Sequence, residues 1–484
     1  MNWKVISRNV GFALSVSATF MLLSVGVSLL NGGDSALAPL LISFLITFLV
    51  GTFPLVFVRK TPQISLKEGY VIIVLSWLLS FVFGMLPYAL WGGPFSVENA
   101  WFESVSGFTT TGATILEDIE ALPPSLLFWR SSTHFIGGLG VVVFLLLIIP
   151  TASPVRLRLS NMEVSNLSKG SYATRTNKTI SIFAYVYLGL AVLAFFTYWL
   201  CGMSAFDAIN HAMSVCATGG FSTKNLSIGA FNSPLIEGVT IVFMLLSSLH
   251  FGLVYLAIAD RSLKPLNNPV IKFFLISVLV VSLLVAAGLR LSGAETSWGA
   301  ALWHSLFQTA STASTTGFGT VDNSQWPMLP CMLLLCIGVM CGCAGSTTGG
   351  VKADRVLVFF KTVKLHLSRI LHPSSVNEVK LQGRYLREEE VAPQIFYITL
   401  YLFLLALSVL LTLLFGLNAH SAFAGSLSCL GNVGPAIREL GNLGNFNCVP
   451  DAAKFVFTLD MFLGRIEIYP VLAVMAMVFD SKKR

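Results

Sequence analysis

Four short segments of the sequence end in related tripeptides whose residue types suit the binding of a bare cation. Glycine permits backbone angles that turn successive carbonyl groups to one side without a clash of a Cβ atom. Four such segments around an axis would offer carbonyl oxygens in place of the hydration shell of a potassium ion. The tripeptides are Thr110-Thr111-Gly112, Ala217-Thr218-Gly219, Thr315-Thr316-Gly317 and Asn432-Val433-Gly434.

The spacing of the tripeptides favours a fourfold repeat over the alternative, four unrelated glycine turns. Their glycines are separated by 107, 98 and 117 residues, and each tripeptide lies between two long apolar runs. Only the third continues as Gly-x-Gly, through Gly319. We therefore expect selection of potassium and rubidium over sodium that is less strict than in a potassium channel. A small residue that would let short helices pack around an axis stands five positions before each glycine: Gly107, Ser214, Thr312 and Cys429.

The composition is that of a membrane protein. Of 484 residues, 55% are hydrophobic and 11% are charged, and the mean hydropathy is +0.78. A soluble domain carries about 25% charged residues. The first apolar run lacks a small-residue cleavage site, so we expect it to be a retained span. Runs long enough to span a bilayer as helices lie near 9–31, 37–58, 69–91, 126–149, 179–201, 234–259, 270–292, 328–350, 393–416 and 454–479.

These runs predict an all-α membrane protein with about ten transmembrane helices. After two N-terminal helices, the pattern of helix, pore loop and helix occurs four times, which predicts four repeats around one pseudo-fourfold pore. The third repeat also holds a candidate gate loop. The predicted units are 1–68 for the N-terminal helices and 69–165, 166–263, 264–375 and 376–484 for the pore repeats.

Charge is distributed unevenly between the segments predicted to lie on the two sides of the membrane. The four segments that contain the tripeptides hold two Lys/Arg and ten Asp/Glu, and these acidic residues would concentrate cations near an outer mouth. The remaining connections hold 24 Lys/Arg and 9 Asp/Glu, which places them and both termini in the cytoplasm. No nucleic acid is needed to explain the basic residues. The basic segments are 1–10, 59–68, 151–178, 260–272, 350–391 and 480–484.

A second group of candidate residues lies below the third tripeptide. Segment 341–350 contains four glycines and two threonines, so we expect it to interrupt its helix. It would form either an intramembrane gate or a packing kink. Arg465, inside the last apolar run, would either face a cavity or pair with Asp460 or Glu467. The candidate gate residues are Gly345, Ser346, Thr347, Thr348, Gly349, Gly350 and Arg465.

Other polar residues in the apolar runs have simpler interpretations. Arg130 lies near the outer start of a span and is expected to snorkel toward water. His134, His211 and His304 are expected to pack with hydrogen bonds rather than to relay protons. The eight cysteines show no paired metal spacing and are expected to be packing residues.

Two other function classes fit the sequence less well. An intramembrane enzyme would need clustered acids, histidines or a nucleophile at one depth. H-E-x-x-H, G-x-S-x-G and P-loop motifs are absent from the sequence. A rocking secondary transporter usually has inverted repeats, whereas here every short segment enters from the acidic side.

The chain resembles the membrane subunits of bacterial Trk/Ktr potassium uptake systems over essentially its full length. The two N-terminal helices fit as well, although the related Ktr membrane subunits lack them. Beyond the tripeptides, the stretches that carry the resemblance are FIGGLG from Phe135, GCAGSTTGG from Gly342 and GRIEIYP from Gly464.

This resemblance implies uptake of potassium and rubidium across the bacterial inner membrane, with K⁺ as the transported ion and no bound organic cofactor. It also implies a homodimer with one pore per subunit. It further implies a blocking loop and an arginine below the filter, and a cytosolic ring of TrkA-type nucleotide-binding subunits that controls opening. The sequence does not distinguish channel-like transport from coupling to protons or sodium.

Overall fold

A computed structural model describes residues 1–59, 64–148, 176–372, 378–381 and 384–481 of the chain. Within these ranges the regular secondary structure is almost entirely helical. Six of the described helices are long and apolar enough to cross a bilayer, and a bent pair makes a seventh. The prediction of an all-α membrane protein is confirmed. The strands are two-residue pieces, Met340–Cys341 paired with Val351–Lys352 and Lys380–Leu381 paired with Arg384–Tyr385.

Two N-terminal helices, Trp3–Leu30 and Leu37–Phe57, pack against each other. A Cβ atom on Gly11 would lie 2.5 Å from the carbonyl oxygen of Gly51, so the glycine allows the two backbones to approach closely. At the turn between the two helices, Asp34 accepts hydrogen bonds from Ser125 N (3.1 Å) and the Ser125 hydroxyl (2.8 Å) of the first repeat.

Four repeats follow, each with an outer helix, a pore helix and an inner helix. The outer helices are Leu66–Gly84 with its continuation Leu86–Trp91, Thr176–Leu200, Pro269–Leu291 and Glu388–Leu414. The pore helices are Val97–Phe108, Ala205–Cys216, Trp298–Ala313 and Ala419–Gly431. The inner helices are Pro124–Ile148, Pro234–Ser247 with Phe251–Ala259, Met328–Val339, and Asp451–Arg465 with Tyr469–Ser481.

The remaining helices connect these elements. A long amphipathic helix, Ala353–Leu371, follows the interruption in the third inner helix. Short 3₁₀ turns lie in the connections at Ser227–Phe231, Lys264–Leu266 and Arg438–Leu440.

The four pore helices begin in the same way. The residue before each helix accepts a hydrogen bond from the backbone N–H three positions later, at 2.8 to 3.2 Å. Such a cap satisfies one of the N–H groups that a helix start leaves without a partner. The cap therefore fixes where each re-entrant helix begins. The capping residues are Ser96, Ser204, Ser297 and Asn418.

The inner helices differ from the continuous spans predicted at 234–259 and 454–479. The second is broken after Ser247, and its halves meet at 103°. His250 caps the lower half by accepting a hydrogen bond from Gly252 N (3.1 Å). The fourth is broken where Glu467 and Ile468 adopt left-handed backbone, with φ of 61° and 58°. The third ends at Val339, so the predicted interruption within 328–350 is present.

One predicted boundary between units needs correction. The helix that opens the first repeat begins at Leu66, so a boundary after residue 68 cuts it. Ser65 and Glu68 form a reciprocal capping box, which starts the helix earlier than its apolar run indicates. The boundaries predicted at 165/166 and 375/376 lie outside the described residues.

Candidate functional site

The residue that follows the end of each pore helix by one or two positions has left-handed backbone. Its φ lies between 51° and 54° in all four repeats. Left-handed backbone costs a residue with a Cβ atom roughly 1–2 kcal/mol, and β-branched residues tolerate it poorly. The same strained geometry at four equivalent positions indicates a constraint shared by all four segments. The residues are Thr110, Thr218, Thr315 and Asn432.

A glycine with φ between 80° and 89° stands two residues later in each repeat. A Cβ atom on each glycine would lie 2.0 to 2.4 Å from a carbonyl oxygen of the next segment, so no side chain fits between neighbours. We call 110–112, 218–220, 315–317 and 432–434 the ring segments, because their contacts close on themselves. The contacts run from Gly112 to Gly219, from Gly220 to Thr316, from Gly317 to Val433 and from Gly434 to Thr111.

The second ring segment is displaced by one residue from its predicted register. Gly220, not Gly219, has the left-handed φ of the ring glycines, 85°. Ala217 instead ends the pore helix in right-handed conformation. The prediction matched Gly219 of the Thr-Gly pair with the glycines of the other three segments. The backbone geometry instead matches the next residue, Gly220, with them. The segment is therefore Thr218-Gly219-Gly220, and Val215, which is not a small residue, precedes its glycine by five positions.

Each pore helix also contains a serine that anchors its ring segment. The backbone N–H of the middle ring residue donates to the carbonyl oxygen of this serine at 2.9 Å in all four repeats. Three of these serines were not predicted, and Ser214 was predicted only as a packing residue. The four stand six positions before the ring glycine only when the second segment is aligned on Gly220. They are Ser106, Ser214, Ser311 and Ser428.

On the outer side, all four ring glycines line a single cavity. Acidic residues lie at and near its rim, among them Glu117. Asn225 donates a hydrogen bond of 2.9 Å to Asp118, which lowers the pKa of this exposed carboxyl below its usual value. The carboxylate is therefore ionised at neutral pH, and the outer mouth carries negative charge that attracts cations.

On the inner side, a loop of residues 342–350 lies directly below the ring. Parallel pairing of Met340–Cys341 with Val351–Lys352 closes the base of this loop. Its backbone fills the break of the second inner helix: Cys343 N donates to Ser248 O (2.9 Å), and Phe251 N donates to Gly345 O (3.0 Å). The loop thus satisfies backbone groups that the broken helix leaves without partners.

The predicted gate residues of this loop contact three of the four ring segments. Gly349 N donates to the Thr315 hydroxyl (3.2 Å), and the hydroxyls of Thr347 and Thr218 are 3.4 Å apart. A Cβ atom on Gly349 would lie 2.5 Å from Asn432 Oδ1. Glycine is therefore required at this position for the loop to approach the ring.

Arg465 lies at the end of the first half of the fourth inner helix and is buried. Its guanidinium donates to Thr347 O (2.5 Å) and to Gly137 O (2.9 Å), and so connects the loop to the first inner helix. Of the two acids considered as its partners, Asp460 accepts from Ser408, and Glu467 pairs with Arg355.

Lys352 provides a second buried cation at the loop. Its ammonium group donates back to the carbonyl and the hydroxyl of Thr348. Lys352 is also the residue that immediately precedes helix Ala353–Leu371. A movement of that helix would therefore act on the loop directly.

Arg130 does not snorkel, contrary to the prediction. It is only 1% exposed and forms an ion pair with Glu103 at 2.8 Å behind the first ring segment. Its guanidinium also reaches the Ser222 carbonyl (3.3 Å) and lies 4.0 Å from the centre of the Phe221 ring. A buried arginine is tolerated because the carboxylate neutralises it. Through its contacts with Ser222 and Phe221, Arg130 joins the first repeat to the second.

The three predicted histidines all make hydrogen bonds, as expected. His211 contacts Asp207 O (2.8 Å) and the Ser222 hydroxyl (2.9 Å), and His304 contacts Glu295 (2.7 Å). His134 contacts the Ser214 hydroxyl (3.1 Å). No group of three or more His, Cys, Asp or Glu that could hold a metal occurs among the described residues. Any cation site in the ring would therefore be built from backbone and hydroxyl oxygens.

Three comparisons place this geometry among known proteins. A family profile described as "TrkH: Cation transport protein" matches residues 38–484. The chain is 32% identical to the Trk system potassium uptake protein TrkH of Salmonella typhimurium and 31% identical to that of Escherichia coli K12, with 99% of each chain covered. It superimposes on the crystal structure of the potassium transporter TrkH from Vibrio parahaemolyticus with a TM-score of 0.87, 32% identity and 98% of each chain covered. These relatives are named as transport proteins, which confirms the prediction that the chain is not an enzyme.

Proposed function

Because the chain belongs to the TrkH family of cation transport proteins, we propose that it takes up potassium through the ring of four segments. The closed ring of carbonyl contacts is the observation that carries this proposal. Left-handed φ at alternate residues turns successive carbonyl groups to one side, and oxygens so arranged replace the hydration shell of K⁺. Rubidium, which is similar in size to potassium, passes as well.

Potassium is recognised by residues 110–112, 218–220, 315–317 and 432–434. Sodium is rejected less strictly than in a potassium channel, because only the third of the four segments continues as Gly-x-Gly, through Gly319. Each of the other segments therefore offers fewer positions at which the backbone adopts the required angles without strain.

The loop from Gly345 to Gly350 and Arg465 form the gate of this pathway. The loop lies against the ring on its inner side, and Arg465 connects it to the first inner helix. A positive charge at this point opposes the entry of cations into the low-dielectric interior. Opening requires the loop to withdraw and Arg465 to release its carbonyl partners.

The force that opens the gate comes from the cytosol. Helix Ala353–Leu371 emerges directly from the loop and carries basic residues and exposed apolar side chains on its cytoplasmic part. We infer that a TrkA-type nucleotide-binding ring displaces this helix. We further infer that the protein is a homodimer in the bacterial inner membrane, with one pore per subunit and both termini in the cytoplasm.

Uptake of radioactive rubidium into liposomes that contain only the purified chain tests the central part of this proposal. Potassium is expected to compete with rubidium at lower concentration than sodium does. Uptake that responds equally to both competitors would contradict potassium selection. Absence of uptake both from the chain alone and after addition of the cytosolic partner would contradict the pathway itself.

A further inference from the structure

We propose that His134 positions the second ring segment and thereby determines how well the whole ring selects potassium. His134 belongs to the first inner helix, but its imidazole lies behind a segment of the second repeat. The inference rests on the proposed function of the ring. It adds a residue from outside the four segments to the set that determines selectivity.

The second ring segment lacks a side chain that the other three have. Its middle residue is Gly219, where the other segments carry Thr111, Thr316 and Val433. These side chains support their own segments: the Thr111 hydroxyl lies 2.8 Å from that of Thr109, and the Thr316 hydroxyl lies 2.7 Å from that of Ser314. Without such support, the second segment would be the loosest of the four.

The imidazole of His134 occupies the missing volume. A Cβ atom on Gly219 would lie 2.2 Å from His134 Nδ1, so the ring stands where a side chain of residue 219 would begin. His134 is fully buried. Glycine at position 219 is therefore explained by the histidine. The backbone does not require it, since Gly219 is not among the residues with positive φ.

The histidine also makes hydrogen bonds with one residue before the segment and one residue after it. Nδ1 lies 3.1 Å from the hydroxyl of Ser214, the serine that anchors the segment from the pore helix. The backbone N–H of Phe221, which follows the ring glycine, points at the same nitrogen from 3.4 Å. Because a backbone N–H can only donate, Nδ1 is the acceptor in this contact.

An aromatic stack completes this support. The imidazole lies parallel to the ring of Phe221, with centroids 4.0 Å apart. Arg130 lies at the same distance from the Phe221 ring, so the two groups must take opposite faces of it. The ion pair of Arg130 with Glu103 fixes the far side of the stack. The residue after Gly220 is thus clamped by two groups from the first inner helix.

Complementary substitution separates this positioning role from a general structural one. The variants are His134→Ala, Gly219→Thr and the double variant that carries both changes. Threonine is chosen because it stands at this position in two of the other segments. Each is purified as monodisperse protein, and rubidium uptake into liposomes is measured against potassium and sodium. The measured quantity is the competition ratio, which is the sodium concentration that halves rubidium uptake divided by the potassium concentration that does so.

His134→Ala is expected to lower this ratio by roughly tenfold, since it removes the hydrogen-bond acceptor and leaves a cavity behind Gly219. Gly219→Thr alone should also be impaired, because its side chain collides with the imidazole. The double variant should recover most of the wild-type ratio. His304→Ala, which loses a contact with Glu295 away from the ring segments, is the matched control and should keep the wild-type ratio.

A wild-type ratio in His134→Ala would overturn the inference. So would a double variant that selects no better than His134→Ala. If wild-type protein itself shows no preference for potassium, the proposed function of the ring fails, and this inference fails with it. Recovery in the double variant supports the inference even where His134→Ala yields little folded protein.

Discussion

The pore helices and the inner helices of the four repeats differ in how closely the repeats resemble one another. Each pore helix has a side-chain cap at its start, an anchoring serine and a left-handed residue after its end. The inner helices instead differ: one is continuous, one is bent by 103°, one ends in the loop and one is broken at Glu467 and Ile468. The pore helices with their ring segments, which we call the symmetric half, build the ring. The inner helices with the loop, which we call the asymmetric half, cover its inner side.

This difference shows how a repeated fold acquires a gate. A ring that coordinates an ion on its axis needs equivalent groups on every side, so the four pore segments are held to one geometry. A gate needs one element that moves and others that receive it. The loop comes from the third repeat, the break in the second repeat receives its backbone, and Arg465 of the fourth connects it to the first.

The largest expected effect is that of placing a side chain in the symmetric half. Gly434→Ser adds a Cβ atom 2.2 Å from Thr111 O at a φ of 89°. Left-handed backbone alone costs serine roughly 1–2 kcal/mol, so potassium selection should fall at least about tenfold. The measurement is the potassium-to-sodium competition ratio for rubidium uptake. Gly416→Ser also lies at positive φ but has open space around it, and it should keep the wild-type ratio.

Removal of the charge in the asymmetric half should act on rate and leave selection intact. Arg465→Gln removes the guanidinium that joins Thr347 O to Gly137 O. A unit charge about 5 Å from an ion contributes about 3 kcal/mol at an effective dielectric constant of about 20. Basal rubidium uptake should therefore rise by an order of magnitude or more. Unchanged basal uptake would show that Arg465 is no barrier.

A smaller increase in basal uptake is expected when the loop loses its contact with Lys352. Lys352→Met keeps the length of the side chain but removes the donor to Thr348. Hydrogen bonds of charged groups contribute about 1.5–3 kcal/mol, part of which the loop recovers through its contacts with Ser248 and Phe251. Basal uptake should rise severalfold. Lys364→Met, on the exposed side of the same helix, is the matched control and should not change it.

The smallest effect should follow from loss of one serine hydroxyl. Ser311→Ala removes the 2.7 Å hydrogen bond to Phe318 O but leaves the backbone anchor of the segment in place. One neutral hydrogen bond contributes about 1 kcal/mol, so the competition ratio should fall no more than about fivefold. A loss as large as that of Gly434→Ser would mean that the hydroxyl has a role beyond support.

The symmetric half was largely predictable from sequence, whereas in the asymmetric half only the interruption of the third inner helix was predicted. Local residue types fix the caps, the pore helices and three of the ring segments. The second segment was misplaced by one residue, since the order Thr218-Gly219-Gly220 is decided by contacts with Thr316 and His134. Those contacts join residues 85 and 96 positions apart (Gly219 with His134, Gly220 with Thr316), and no local pattern encodes them.

The partners of buried charges were also beyond local reasoning. Arg130 stands near the end of a helix, where snorkelling is the usual outcome, and only the fold brings Glu103 to its side. Glu467 is close to Arg465 in sequence but pairs with Arg355, more than a hundred residues away. In both cases, the fold decides which charge lies nearest.

The most direct test of the ring is to locate rubidium in the protein by its anomalous X-ray scattering in crystals grown with rubidium in place of potassium. Rubidium is expected on the axis of the four segments, at the level of the carbonyl groups of Thr111, Gly219, Thr316 and Val433. A second crystal grown in sodium should lack these peaks. Rubidium bound elsewhere, with none on this axis, would contradict the claim that the four segments form the potassium pathway.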